Sequence, residues 1–80
     1  MPRYFYHVIS KSGPIFDEEG TGHDNVAQAR DEALADIREL IADAAKSGID
    51  ISGRRMEIRD ASGALLTTLR FTDALVSEDL

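Results

Sequence analysis

One stretch constrains this chain more than any other: residues 24–47 read as a single long amphipathic helix. At about 100° per residue from Val26, the residues Ala29, Leu40, Ala33, Ala44, Ile37, Ile41 and Leu34 join Val26 in one continuous arc. Gln28, Asp31, Glu32, Asp36, Glu39, Asp43 and Lys46 fill most of the remaining circle. Asp24 stands at the N-cap position, where a side-chain oxygen accepts an N–H from the first turn, and Gly48 stands where helices commonly end on a left-handed residue. A helix with one apolar stripe has to bury it, and the segments on either side are the only partners left.

Those flanking segments read as strands. Arg3 to Ser10 holds Tyr4, Phe5, Tyr6, Val8 and Ile9, so both of its faces are apolar and both need cover. Lys11-Ser12-Gly13-Pro14 is a turn, Ile15-Phe16 a stub of strand returning antiparallel, and Asp17 to His23 a polar loop. After the helix, Ile49 and Ile51 in the connector Gly48 to Gly53 are expected under the helix end. Arg54 to Asp60 alternates, with Met56 and Ile58 on one face and Arg55, Glu57 and Arg59 on the other. Asp60-Ala61-Ser62-Gly63 is a hairpin turn leading to Ala64–Phe71. The register of that strand is open to a one-residue slip; its more apolar set, Leu65, Thr67, Leu69 and Phe71, is placed inward.

A short helical turn over Thr72–Leu75 and a frayed acidic tail at 76–80 complete the chain. The order β-(short β)-α-β-β predicts an α+β two-layer sandwich. One helix covers a small antiparallel sheet, in a single domain over residues 1–75. Ile37 and Leu40 are expected in the core opposite Met56 and Ile58.

The residues also carry a resemblance. The opening Met1-Pro2-Arg3-Tyr4-Phe5-Tyr6-His7-Val8 resembles a family of small bacterial proteins of unknown function whose members begin Met-Pro-Arg-Tyr-Phe-Phe-His-Val. The likeness continues through Asp17-Glu18-Glu19-Gly20, Ala29-Arg30, Glu32-Ala33, Ser52-Gly53-Arg54-Arg55, Glu57, Asp60, Gly63 and Phe71-Thr72-Asp73-Ala74-Leu75. Tyr6, where phenylalanine is usual, and Phe16, where proline often stands, depart from it. The resemblance implies no activity. The strand-hairpin-then-helix order is also similar to the front half of HicB-type antitoxins, an analogy of fold pattern alone.

Composition and motifs exclude more than they assign. With no cysteine there is no disulfide, thiolate metal site or cysteine nucleophile. No apolar run approaches the ~20 residues of a membrane span, and a cytoplasmic location is expected. Fifteen acids against nine bases give a net charge of −6, which repels phosphate backbones at long range. The acids Asp17-Glu18-Glu19 are consecutive and do not alternate as calcium ligands do. His23-Asp24 reads as a cap and not a proton-transfer pair, and His7 as a packed histidine. No Gly-x-Ser-x-Gly or phosphate loop exists, and Gly20-Thr21-Gly22 has neither a third glycine nor a following lysine. No cofactor, no metal and no enzymatic activity are expected.

Two surfaces remain. Glu32, Asp36, Glu39 and Asp43 form an acidic ridge on the helix, able to meet a basic protein. The sheet face away from the helix carries Phe5, His7, Ile9, Arg55, Glu57 and Arg59, and a one-helix sandwich has nothing of its own to cover them. The expected function is a small non-enzymatic interaction or regulatory domain, homodimeric through that face with Phe5 near its centre. The alternatives are a weak single-stranded nucleic-acid binder through the same face, or an acidic, antitoxin-like mimic that blocks a nucleic-acid-binding protein.

Overall fold

Strand β1 (Arg3–Ser10) is the spine of the sheet. The computed structural model describes residues 1–76 and shows one helix on an antiparallel sheet, the α+β architecture that the sequence predicts. On one side of β1 lie β2 (Gly13–Ile15) and β3 (Thr21–Gly22); on the other lies β4 (Arg55–Asp60), with β5 (Leu65–Arg70) outside it. The registers Tyr6↔Ile58, Val8↔Ile15 and Tyr4↔Thr21 fix these pairings. β3 is a correction, since the sequence leaves 17–23 as loop. Two residues are too few to show an alternation, and the pairing rests on longer-range ties: Arg3 Nε donates to the Glu19 carbonyl at 2.6 Å, and His23 N–H to the Pro2 carbonyl at 3.1 Å. The expected tail at 76–80 lies outside the described residues except for Val76, which is 91% exposed.

Helix α1 runs Val26–Lys46. Its cap is Asn25 and not Asp24: Asn25 has an extended backbone, φ −157° and ψ 171°, and its Oδ1 accepts from the Gln28 N–H at 3.0 Å. The apolar arc starts at Val26, so Asn25 is the last residue outside the helix. Asp24 lies one step too early, and its own N–H is instead received by Gln28 Oε1 at 3.0 Å. At the far end Gly48, at φ +76°, takes the left-handed turn. Its N–H reaches the Ala45 carbonyl and that of Ile49 reaches Ala44, which satisfies two carbonyls that the helix leaves free.

The core lies between α1 and the near face of the sheet. Ala29, Ala33 and Ile37 from the helix meet Tyr4, Tyr6, Met56, Ile58 and Leu69 from the strands. Phe71, fully buried, opens a 3₁₀ turn, Phe71–Ala74, that closes the helix flank, and Arg38 Nε donates to the Ala74 carbonyl at 2.8 Å. Three expected core positions move. Leu40 is 40% exposed, because the small residues Ala29 and Ala33 seat the helix on a narrow line and Leu40 falls on its shoulder. Ile51 is buried but Ile49 is 56% exposed. Leu65 is 49% exposed and faces away from the helix. The register shifts between Ile58↔Thr67 and Arg59↔Leu65, so Leu66 has no partner and everything before it changes face. Among the described residues no helix is long and apolar enough to cross a membrane.

Candidate interaction face

Alternation along β1 and β4 sends every second side chain away from the helix. Residues directly opposite share a face, so the registers set three rows across the sheet: Phe5–Arg59–Leu65, His7–Glu57–Thr68 and Ile9–Arg55–Arg70. All six residues named from sequence (Phe5, His7, Ile9, Arg55, Glu57 and Arg59) therefore stand together on the outer face. Pro14, opposite Ile9, joins them, and so does Phe16, whose ring meets that of His7 edge-on at 5.2 Å. Pro14, Phe16 and Leu65 are additions that sequence reasoning missed, whereas Arg70 faces outward as the sequence-based register implies. Phe16, already in the stub strand read from sequence, could have been found by carrying period-two alternation across that strand; Leu65 could not, because a bulge leaves no trace in the alternation.

The charges at the centre of this face are paired within the chain. Arg59 gives both Nε, at 3.2 Å, and Nη2, at 3.0 Å, to Glu57 Oε1, and its Nη1 reaches the Gly63 carbonyl at 2.8 Å. At the rim Arg70 is held by Asp73, at 2.9 Å from Nη2. Arg55 makes no ion pair among the described residues.

The outer face also has cover of its own, contrary to expectation. Asp17 organises a turn over 16–20. Its Oδ1 accepts from the N–H groups of Gly20 and Glu19, and its Oδ2 accepts from Tyr6 N–H at 3.1 Å, which takes the place of a missing ladder bond between β2 and β3. The Asp17 N–H in turn donates to His7 Nδ1 at 3.0 Å. Burial by itself would push the Asp17 carboxyl up; the backbone donors of Gly20, Tyr6 and Glu19, with a smaller contribution from His7, outweigh it and hold the group below its ordinary value. The turn brings Gly20, at φ +70°, onto the Phe5 ring, so close that a β-carbon there would sit 2.8 Å from both Phe5 Cε2 and the Tyr4 carbonyl. Phe5 and His7, which this turn covers, are half-buried, and so is Ile9 beside Pro14.

On the opposite side of the molecule a cleft of about 380 Å³ separates the acidic flank of α1 from β1. Asp36, Glu39 and Asp43 line it with Asp17, Tyr6 and the exposed Leu40. Burial first, then the charges of Glu32 and Glu39, raise the Asp36 carboxyl. Burial, followed by the same acidic surroundings, also raises the Tyr6 phenol, which donates to the Ala29 carbonyl at 3.0 Å. His23 does not pair with Asp24; its Nε2 lies against the Glu32 carboxylate without an aligned hydrogen bond. Among the described residues no group of three or more potential ligands is arranged to hold a metal ion.

The comparisons with known proteins agree with the opening residues. The model of a family described as a domain of unknown function, DUF6894, matches residues 3–72, nearly the whole chain, and the chain belongs to that family. No curated protein and no solved structure matches it, and no link to HicB-type antitoxins appears.

Proposed function

For a member of a family with no assigned activity, we propose a non-enzymatic protein-interaction domain that acts as a homodimer through the open face of its sheet. The observation that carries this reading is the Glu57–Arg59 pair at the centre of that face. Because the pair is already made, a partner can cover the middle of the face without stranding a charge, the outcome that makes buried ions costly.

The face is also complementary to itself. One half, β2 and β1, presents Pro14, Phe16, Phe5, His7 and Ile9; the other, β4 and β5, presents Arg55, Arg59, Leu65 and Arg70 around Glu57. A twofold axis running along the strands between β1 and β4 lays each half on its opposite. That is what an isologous interface requires, and it sets guanidinium groups over aromatic rings. The molecule measures 37 × 30 × 17 Å, so its broad face accommodates the roughly 800 Å² per partner of a standard interface. A single-stranded nucleic acid suits the face less well, since Arg59 and Arg70 are engaged by Glu57 and Asp73. A basic protein is the second partner class, at the acidic cleft, where a cation would offset the burial and the neighbouring Glu32 and Glu39 charges that raise Asp36.

Light scattering behind size exclusion, at tens of micromolar protein, tests the dimer. The expected result is a dimer mass for the wild type and a folded monomer for Phe16→Glu and Leu65→Glu. Both side chains are largely exposed, at 65% and 49%, so the fold does not depend on them. Phe5→Glu is a poorer probe because Gly20 packs on that ring. A monomeric wild type ends the reading.

A further inference from the structure

A groove at one end of the molecule is built from two turns that the interaction face does not use. Ser10, Lys11 and Ser12 of the β1–β2 turn form one wall, and Ile49, Ile51 and Arg54 of the connector between α1 and β4 form the other. Its volume, about 390 Å³, falls within the range of small-molecule sites, roughly 300–1,000 Å³. We propose that this groove binds a small amphiphilic anion, a carboxylate or phosphate monoester on a short hydrocarbon body.

Charge gives the first argument. Of the nine bases, three (Lys46, Arg59 and Arg70) make an ion pair among the described residues. Lys11 and Arg54 are two of the six without one, and what sets them apart is that both line a single groove. One acid shares the lining, Asp50, whose Oδ1 accepts from Ser52 N–H at 2.8 Å; this bond first, then the Ser52 side chain, keeps it ionised, so the groove carries two cations against one anion. The hydroxyls of Ser10 and Ser12 lie 3.1 Å apart on the same wall; Ser10 Oγ donates to the Gly13 carbonyl at 3.0 Å, so Ser12 is the one that can turn its proton to an incoming oxygen.

The second argument comes from the other side of the connector. A groove of about 320 Å³, lined by Ile41, Ala45 and Gly48, shares Ile49, Asp50 and Ile51 with the first. Ile49 is 56% exposed between the two. A ligand whose head meets Lys11 and Arg54 lays its hydrocarbon across Ile49, and a bare anion such as inorganic phosphate makes no use of that side chain. The site is at the end of the sheet, apart from the outer face, so it stands or falls independently of the dimer.

Amide chemical shifts of the isotope-labelled full chain test this with three probes of equal length: hexanoate, hexyl phosphate and 1-hexanol. The expected result is saturable shifts at residues 10–12 and 49–54 with hexanoate or hexyl phosphate, whichever head the groove prefers, and none there with hexanol. The double variant Lys11→Ala, Arg54→Ala should keep the wild-type spectrum elsewhere and bind about three- to tenfold more weakly, the loss of two modest charge contacts. Equal shifts with hexanol, shifts away from the groove, or no saturation by about 10 mM, a dissociation constant too weak for a site, would overturn the proposal.

Discussion

Tyr4 and Tyr6 on one side of β1 are 7% and 8% exposed, whereas Phe5, His7 and Ile9 on the other side stay half-buried. The side chains are of similar size and apolarity, and they alternate along one strand, so what differs is the roof. The near side lies under a 21-residue helix whose own backbone accepts the Tyr6 hydroxyl. The far side is covered piecemeal, by one glycine against Phe5 and by an aromatic edge and a backbone N–H against His7. A continuous helix supplies a dry, close-packed layer. A five-residue turn held by one carboxylate supplies shelter that leaves room for a partner. The structure thus spends its packing on one face and keeps the other available.

The largest expected effect breaks the near side. Ile37 is fully buried at the middle of the helix line, and Ile37→Ala should cost about 2–5 kcal/mol, read as a lowered denaturation midpoint. A midpoint close to wild type would mean that the helix is not the main roof. The turn comes next. Asp17→Ala removes the acceptor of three backbone N–H groups and should cost about 1–3 kcal/mol. Acid sharpens the same point. A carboxyl whose folded value lies below its unfolded one, about 3.9, contributes stability at higher pH that is lost as pH falls through the folded value. The wild type should therefore lose more stability between about pH 5 and 2 than Asp17→Ala does. Parallel acid titrations of the two would remove the turn from its structural role. The smallest effect concerns how the helix is seated: Asn25→Ala should cost roughly 1 kcal/mol and Asp24→Ala less than about 0.5. The reverse order in thermal melts would restore Asp24 as the cap.

Much of this fold could be read from local pattern. β1 announces itself by its aromatic and β-branched residues and β4 by clean alternation, and Gly48 ends the helix where its geometry requires. The failures share a physical cause: each depends on a relation that the local sequence does not encode. Asp24 and Asn25 are both good caps, and only the first helical turn decides between them. Leu65 sits inward by alternation and outward by one bulge. Leu40 lies on the apolar arc, yet the arc is wider than the line along which Ala29 and Ala33 bring the backbones together. The outer-face residues were legible as a set because period-two alternation fixes a face whatever the tertiary detail. Their partial cover was not, since Gly20 and Asp17 reach Phe5 and Tyr6 through a turn that local composition marks only as polar.

The central position of β1 carries a consequence for how the protein is made. Its ladder with β2 and β3 joins residues close in sequence, but its ladder with β4 pairs Tyr4 with Asp60 and Ile9 with Arg55. During synthesis β1 leaves the ribosome ahead of α1 and β4 and can close its hairpin at once, while its second edge waits until the helix and β4 have followed. Sequence-distant pairing of this kind is slow, and an unpaired apolar edge is a template for the wrong neighbour. Nascent copies emerging side by side would thus be most vulnerable to misassembly at this edge of β1, before β4 arrives to close it.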